Sequence, residues 1–181
     1  MKHILLTAYI FSLMTLIGCE SNKKDTVSTN AETTIQTEKE NTMEKQSQAT
    51  MDIAMAFMGA MGKGDMETMM GLMHEDMVWQ NAGDKSLPWI GPWNGKKIIL
   101  EEFMPAFGAN FTTKKWEPND AFANGDTAAF FGQMVGLLNK SNQQTDEFTY
   151  ALRVKVKDGK VILWNWFEDS YEVSQAFHGK K

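Results

Sequence analysis

One cysteine in 181 residues, Cys19, leaves no partner for an intramolecular disulfide in any compartment, so packing alone must hold the fold. Long basic runs are missing as well. The longest are the pairs Lys23-Lys24, Lys96-Lys97, Lys114-Lys115 and Lys180-Lys181, and the 18 basic side chains face 23 acidic ones. A nucleic-acid binder presents a basic stripe, and this chain does not, which excludes nucleic acid as a partner class. With three histidines, one near each end and His74 between them, no Ser-His-Asp or Cys-His arrangement is expected. No glycine run follows a strand in a phosphate-cradling pattern, and no bound cofactor is expected. Nor does any apolar run reach the roughly 20 residues of a permanent transmembrane helix.

What the N-terminus does contain is Lys2 and His3, an apolar run from Ile4 to Ile17, and "LIGC" at 16–19. This is the pattern of a secretory signal peptide. "LIGC" resembles the bacterial lipobox, with Leu16 three residues before the cysteine and the small Gly18 directly before it. The resemblance implies cleavage before Cys19 and a diacylglycerol on its thiol, hence a domain outside the cytoplasm that touches a membrane through its N-terminal lipid only. Glu20 is not the aspartate that resembles an inner-membrane retention signal, which favours the outer membrane in a Gram-negative envelope. Cleavage takes Lys2 from the 18 basic side chains and leaves 17 against 23 acidic ones, a formal charge of −6. Residues 1–18 are thus read as leader and 19–48 as a tether. The tether is polar and without aromatics, too poor in apolar surface to offset its ordering entropy, and spans roughly 30 Å as a flexible coil. Residues 49–181 have the length of one domain.

Within that domain Met51, Met55 and Met58 lie at i, i+4 and i+7, which predicts an amphipathic helix over 44–61. Asp65 is placed to cap a second helix over 66–73. A strand candidate follows at 77–83, then a loop with Trp89 and Trp93, then a helix over 95–107 that Pro105 and Gly108 are expected to end. From there the period changes to two. Phe148, Tyr150, Leu152, Val154 and Val156 alternate with polar or small residues, the mark of a strand with one wet face. Asn124-Gly125 and Asp158-Gly159 predict hairpin turns joining 110–123 to 126–139 and the 148–157 strand to 160–169. Pro118 demands a kink, a bulge or an edge, and 170–178 is the last helix candidate. Helices followed by an antiparallel meander make an α+β fold with the helices on one face of a curved sheet.

The stretches "HEDMVWQNAG" at 74–83, "LPWIGPWNGKKIILEEF" at 87–103 and "ANGDTAAFFGQ" at 123–133 resemble the nuclear-transport-factor-2-like superfamily, in particular its SnoaL-like branch, in order and spacing. The resemblance implies a cone-shaped, mostly antiparallel sheet packed against about three N-terminal helices, with a pocket at the open end and dimers through the outer sheet face. It places Trp89 and Trp93 at the rim of the cone, and the bland alternative is that both rings only plug the core. Members include ketosteroid isomerase, polyketide cyclases, dehydratases and proteins that catalyse nothing.

Ketosteroid-isomerase-like enzymes carry a carboxylate on the strand after the second helix. The matching stretch here is Val78-Trp79-Gln80-Asn81, where neither amide exchanges a proton at neutral pH, although both can hydrogen-bond a ligand. Glu168 and Asp169 remain as catalytic candidates. Being adjacent on a strand they point to opposite faces, so one of the two can line a pocket. Glu168 shares its face with Ile162, Trp164 and Trp166, where desolvation would raise a carboxyl pKa toward that of a general acid or base. Asp169 shares the face of Val161, Leu163, Asn165 and Phe167. The bland alternative is a strand-end charge or a cap for the next helix. Asp120 is expected to serve a bend and His74 to end the second helix. Nine of the fourteen methionines fall between 51 and 77, and thioethers suit Cu(I). Their spacing is nevertheless that of a core stripe, so no metal site is assigned. The reading is a small, mostly apolar ligand with Trp79, Trp93 and Trp166 as walls and Gln80, Asn81, Tyr150 and Glu168 as polar contacts. An isomerase, dehydratase or hydrolase using a pocket carboxylate is one alternative, and an interaction module with a filled cone the other.

Overall fold

The computed structural model describes residues 25–180, with side chains from residue 35. The leader and Cys19 lie outside that range. Contacts divide the chain into two units, with the boundary between Thr37 and Glu38. The described part of the first unit is helical from Asp25, within α1 (Asp25–Lys63). Residues 25–48 are therefore helix and not the unstructured tether expected for them. They contain neither proline nor glycine, and their Glu, Lys and Gln side chains lose little rotamer freedom in a helix.

In the second unit, α1 ends at the Gly62–Gly64 break, and the Asp65 side chain caps α2 (Met66–Leu72) by accepting from the Thr68 amide at 3.1 Å. Strand β1 (Met73–Asn81) starts earlier than the pattern predicts. His74 thus belongs to the strand instead of closing the helix, and its Nδ1 accepts from the Asp76 amide at 3.1 Å. After the short β2 (Trp93–Asn94), α3 (Lys96–Ile98), a π turn over Ile99–Phe103 and α4 (Met104–Asn110) run on as one helical rod. Pro105 and Gly108 do not end it. The Met104 amide donates to the Ile99 carbonyl, a wide turn that places Pro105, which has no N–H to give, at the start of the next helical stretch.

The rest is sheet: β3 (Phe111–Asn124), β4 (Thr127–Leu138), β5 (Gln143–Gln144), β6 (Phe148–Lys157) and β7 (Lys160–Glu168), closed by α5 (Ser170–Phe177). The strand order is β2-β1-β7-β6-β4-β3 with β5 on β4, and β1 and β7 are the parallel pair. Asp158 and Gly159 both take positive φ, as a two-residue hairpin requires. Pro118 sits on the edge strand β3 beside a register shift to Asp120, as its missing N–H demands.

Period-two alternation divides the sheet into a buried inner face and an outer one. In-register inner rows read Trp79, Trp164, Val154, Ala128, then Asn81, Trp166, Leu152, Phe130, then Glu168, Tyr150, Gly132, Pro118. Helix side chains fill the first of these rows: Phe57 lies 5.2 Å from Trp164, and Phe103 4.7 Å from Trp79. Toward the other end, Trp89 makes edge contacts with Phe107, Phe111 and Phe177. It is 1% exposed, a core plug in place of the rim position that the resemblance implied. The result is a cone-shaped α+β fold.

Candidate ligand site on the inner face of the sheet

The third inner row is where polarity enters. Tyr150 on β6 and Glu168 on β7 are cross-strand partners, and Gly132 beside Tyr150 carries no side chain. A Cβ at Gly132 would strike the Glu117 carbonyl and stand 2.8 Å from the Tyr150 hydroxyl, so the glycine is what lets that hydroxyl lie flat against β4. Trp166, two residues before Glu168 and on the same face, stacks on Tyr150 with ring centroids 4.4 Å apart. Trp116, opposite Met134 on β3, meets Trp166 edge-on at 6.4 Å.

One hydrogen bond ties this cluster together: Trp166 Nε1 donates to Glu168 Oε2 at 2.7 Å. Three polar atoms stay buried without a hydrogen-bond partner among the described residues, namely Glu168 Oε1, the Tyr150 hydroxyl and Trp116 Nε1. The Trp116 N–H lies near enough to the Tyr150 hydroxyl to favour its ionised form, yet the two do not meet in a hydrogen bond of acceptable geometry. Burial dominates both acids. It raises the Tyr150 hydroxyl, and it pushes Glu168 up to about 7, against the Trp166 N–H and with help from the Asp169 charge. Part of Glu168 reaches the surface at the end of β7, but its carboxyl end does not.

The other sequence-predicted residues are dispersed. Trp79 is buried in the aromatic layer, and its Nε1 donates to Asn81 Oδ1 at 3.0 Å, so that amide is already engaged. Trp93 is half-buried against Phe103 and donates to the Trp89 carbonyl at 3.1 Å. Gln80 lies on the outer face, opposite Asn165. Asp169 accepts from the Glu172 amide and caps α5. Asp120 stands on the outer face at the β3 bulge, opposite Phe131. Among the described residues no three His, Cys, Asp or Glu side chains gather as a metal site. The methionines face different ways, with Met69, Met73 and Met77 in the core and Met55 and Met66 exposed.

Two groupings escaped the sequence reading. Trp116 was missed because two register shifts on β3 change its phase. Asp84, Ser86, Ser174 and His178 also meet, contrary to the expectation that serine, histidine and aspartate would not converge. Ser174 Oγ donates to Asp84 Oδ2 at 2.6 Å, Ser86 Oγ donates to Asp84 Oδ1 at 2.8 Å, and Ser86 Oγ lies 2.9 Å from His178 Nε2. The ring nitrogen facing Asp84, at 3.4 Å, is the same Nε2. A relay needs the carboxylate on the other nitrogen, so this group acts as a latch between the tryptophan loop and α5. Its hydrogen bonds, the one from Ser174 first, hold the Asp84 carboxyl well below the usual range.

The Glu168 shift generates a signed prediction. A carboxyl raised from 4.5 to about 7 on folding favours the folded chain most below pH 4.5, and that advantage is lost as pH climbs through 7. The loss amounts to about 3 kcal/mol, at roughly 1.4 kcal/mol per pH unit. Glu168→Gln removes the slope, so in urea unfolding its stability exceeds that of the parent above pH 7 and converges with it toward pH 4.5. Parallel curves for the two proteins would show that Glu168 ionises freely.

The SnoaL-like domain model matches residues 54–164. No sequence match was found among curated proteins. Among solved structures, an NTF2-like protein from Burkholderia xenovorans LB400 superposes with a TM-score of 0.64 at 22% identity, over 72% of this chain and 97% of that one. A protein with a cystatin-like fold from Xanthomonas campestris gives 0.60 at 21% identity, over 72% and 98%. An LEH-like epoxide hydrolase from M. tuberculosis gives 0.56 at 16% identity, over 74% and 92%. At these identities the structures speak for the fold, which agrees with the rows and layers described above. With its family model spanning helix α1 to strand β7, the chain belongs to the SnoaL-like domain family.

Proposed function

We propose that this domain binds a small, mostly apolar molecule against Trp116, Tyr150 and Trp166, with Glu168 and the Tyr150 hydroxyl as its polar contacts. The observation that carries the reading is the convergence of three unpaired buried polar atoms in one aromatic cluster. Buried donors and acceptors are nearly always paired, and each one left unpaired costs about 1–3 kcal/mol. A guest that pairs them recovers that cost, and the rings around them supply apolar contact. In the closed form the three atoms are out of reach of solvent, so binding parts the rings.

The test is thermal unfolding of the full chain against a panel of sterols, fatty acids and polyketides. A guest at 100 times its dissociation constant stabilises by about 2.7 kcal/mol. Tyr150→Phe should leave the melting temperature of the free protein unchanged or raise it, because it deletes an unpaired polar atom, whereas Trp116→Phe also trims the ring that meets Trp166 and should lower it. Both should lose most of the ligand-induced shift. A fall in stability on Tyr150→Phe in the absence of ligand would mean that the hydroxyl serves the fold.

A second reading, proton transfer by Glu168, is favoured by a carboxyl that titrates near neutrality beside two other unpaired polar groups. On it, turnover of a carbonyl or epoxide substrate disappears in Glu168→Gln and survives in Asp169→Asn, whose side chain caps α5. Equal rates in all three proteins would remove it.

We further propose that the domain is held at a bacterial membrane by lipid on Cys19. Support comes from "LIGC" and the apolar run before it. Cells fed labelled fatty acid should incorporate label into this protein and not into Cys19→Ser; label in both would locate the lipid elsewhere.

A further inference from the structure

The three unpaired atoms of the inner cluster differ in chemistry, and their places on the sheet separate them into two ends. Tyr150 leans from β6 across β4, where a Cβ at Gly132 would stand 2.8 Å from its hydroxyl. Trp116, on the next strand, brings its Nε1–H beside that hydroxyl. Glu168 belongs to the other end, on β7, where Oε2 is held by the Trp166 N–H at 2.7 Å and Oε1 is unpaired. Strands β7 and β4 are two spacings apart, about 10 Å. Trp166 stacks on Tyr150, so the bond from its N–H draws the carboxyl inward from β7. The two ends therefore stand within about 10 Å of each other, a gap that a benzene ring with a polar group at each end can bridge.

Each end calls for a different partner. An indole N–H can only donate, and the tyrosine O–H beside it is also free to donate, so a carbonyl oxygen with its two lone pairs satisfies both. A ligand donor placed there would leave the Trp116 N–H unpaired. At the other end an ionised carboxylate can only accept, and Glu168 Oε1 calls for an N–H. Between the ends the stacked Tyr150 and Trp166 rings offer their faces to a flat ring.

We propose that the inner site is selective for a flat aromatic molecule with a carbonyl at one end and an N–H donor at the other, the carbonyl accepting from Tyr150 and Trp116 and the donor pairing with Glu168 Oε1. The inference rests on the ligand-binding reading above and adds the direction in which the ligand lies. A donor on Oε1 favours the ionised carboxyl, so binding at that end releases a proton and strengthens as pH rises through about 7. The other titratable groups beside the carboxyl are Tyr150, whose hydroxyl burial raises and which stays neutral in this range, and Asp169, whose charge acts on Glu168.

Calorimetric titration of the full chain with 4-aminoacetophenone tests it against two compounds of the same shape: 4-methylacetophenone, which lacks the donor, and 4-isopropylaniline, which lacks the acceptor. The first should bind about tenfold tighter than either of the others. Tyr150→Phe should remove its advantage over 4-isopropylaniline, and Glu168→Met its advantage over 4-methylacetophenone, each leaving the other advantage in place. Its affinity should rise as pH passes from about 6 to about 8, while that of 4-methylacetophenone stays level. Should Glu168→Met fail to fold, the comparison of compounds and the pH profile on the unaltered chain still decide. Equal affinity for all three compounds, a level pH profile for 4-aminoacetophenone, or both advantages lost in one folded variant would overturn the inference. If none of the three binds while a sterol, fatty acid or polyketide gives a shift that Tyr150→Phe abolishes, this ligand class falls and the binding reading stands. If nothing in either set binds, both fall.

Discussion

The aromatic layer of Phe57, Trp79, Trp164 and Phe103 sets the separation between sheet and helices, and the other features are arranged around it. Trp79 and Trp164 are paired across the parallel strands with centroids 5.2 Å apart, and Phe57 and Phe103 close over them from the helical side. Such a layer is all contact and almost no polar atom. Of its two indole N–H groups, that of Trp79 is absorbed one row away by Asn81. Polarity then increases row by row toward the C-terminal end of β7, where Glu168 and Tyr150 stand. The Glu168 carboxyl there is desolvated by burial, beside Trp166 and its stacked partner Tyr150.

This grading separates two tasks within one core. The first row holds the fold through ring contacts between sheet and helices. The third row is under-satisfied, a condition that a packed interior normally avoids and that proteins keep where a ligand is to be met. The latch of Asp84, Ser86, Ser174 and His178 has a different character, because it lies at the surface and each of its groups has a partner. It ties the loop that carries Trp89 to the helix that carries Phe177, and the two rings meet edge-on at 5.6 Å.

Much of this was legible in the residues themselves. The alternation from Phe148 to Val156 and the Asn-Gly and Asp-Gly turns specify the hairpins through local backbone chemistry, and Pro118 announces an edge with a bulge. The inner position of Glu168 is a matter of parity, and parity is readable once one residue of the strand is known to be buried. Gln80 could not be resolved in the same way, because the phase of β1 is set by a parallel partner some eighty residues later. Trp116 was hidden by register shifts, which change the phase within a strand without leaving a mark in its hydropathy. The length of α1 and the π turn at Ile99–Phe103 were equally obscure, since both depend on main-chain bonding that several sequences would allow.

The pairing of β1 with β7 joins residues 73–81 to residues 161–166, nearly the whole domain apart. A ribosome reaches the second strand only after all the others have been made, so the earlier hairpins can close while β1 waits with an open edge. Docking of β7 between β1 and β6 is then the closing event, and it depends on residues 160–168. A nascent chain stopped short of residue 161 would carry an apolar strand with one edge unpaired, the kind of edge that chaperones shield and that otherwise aggregates.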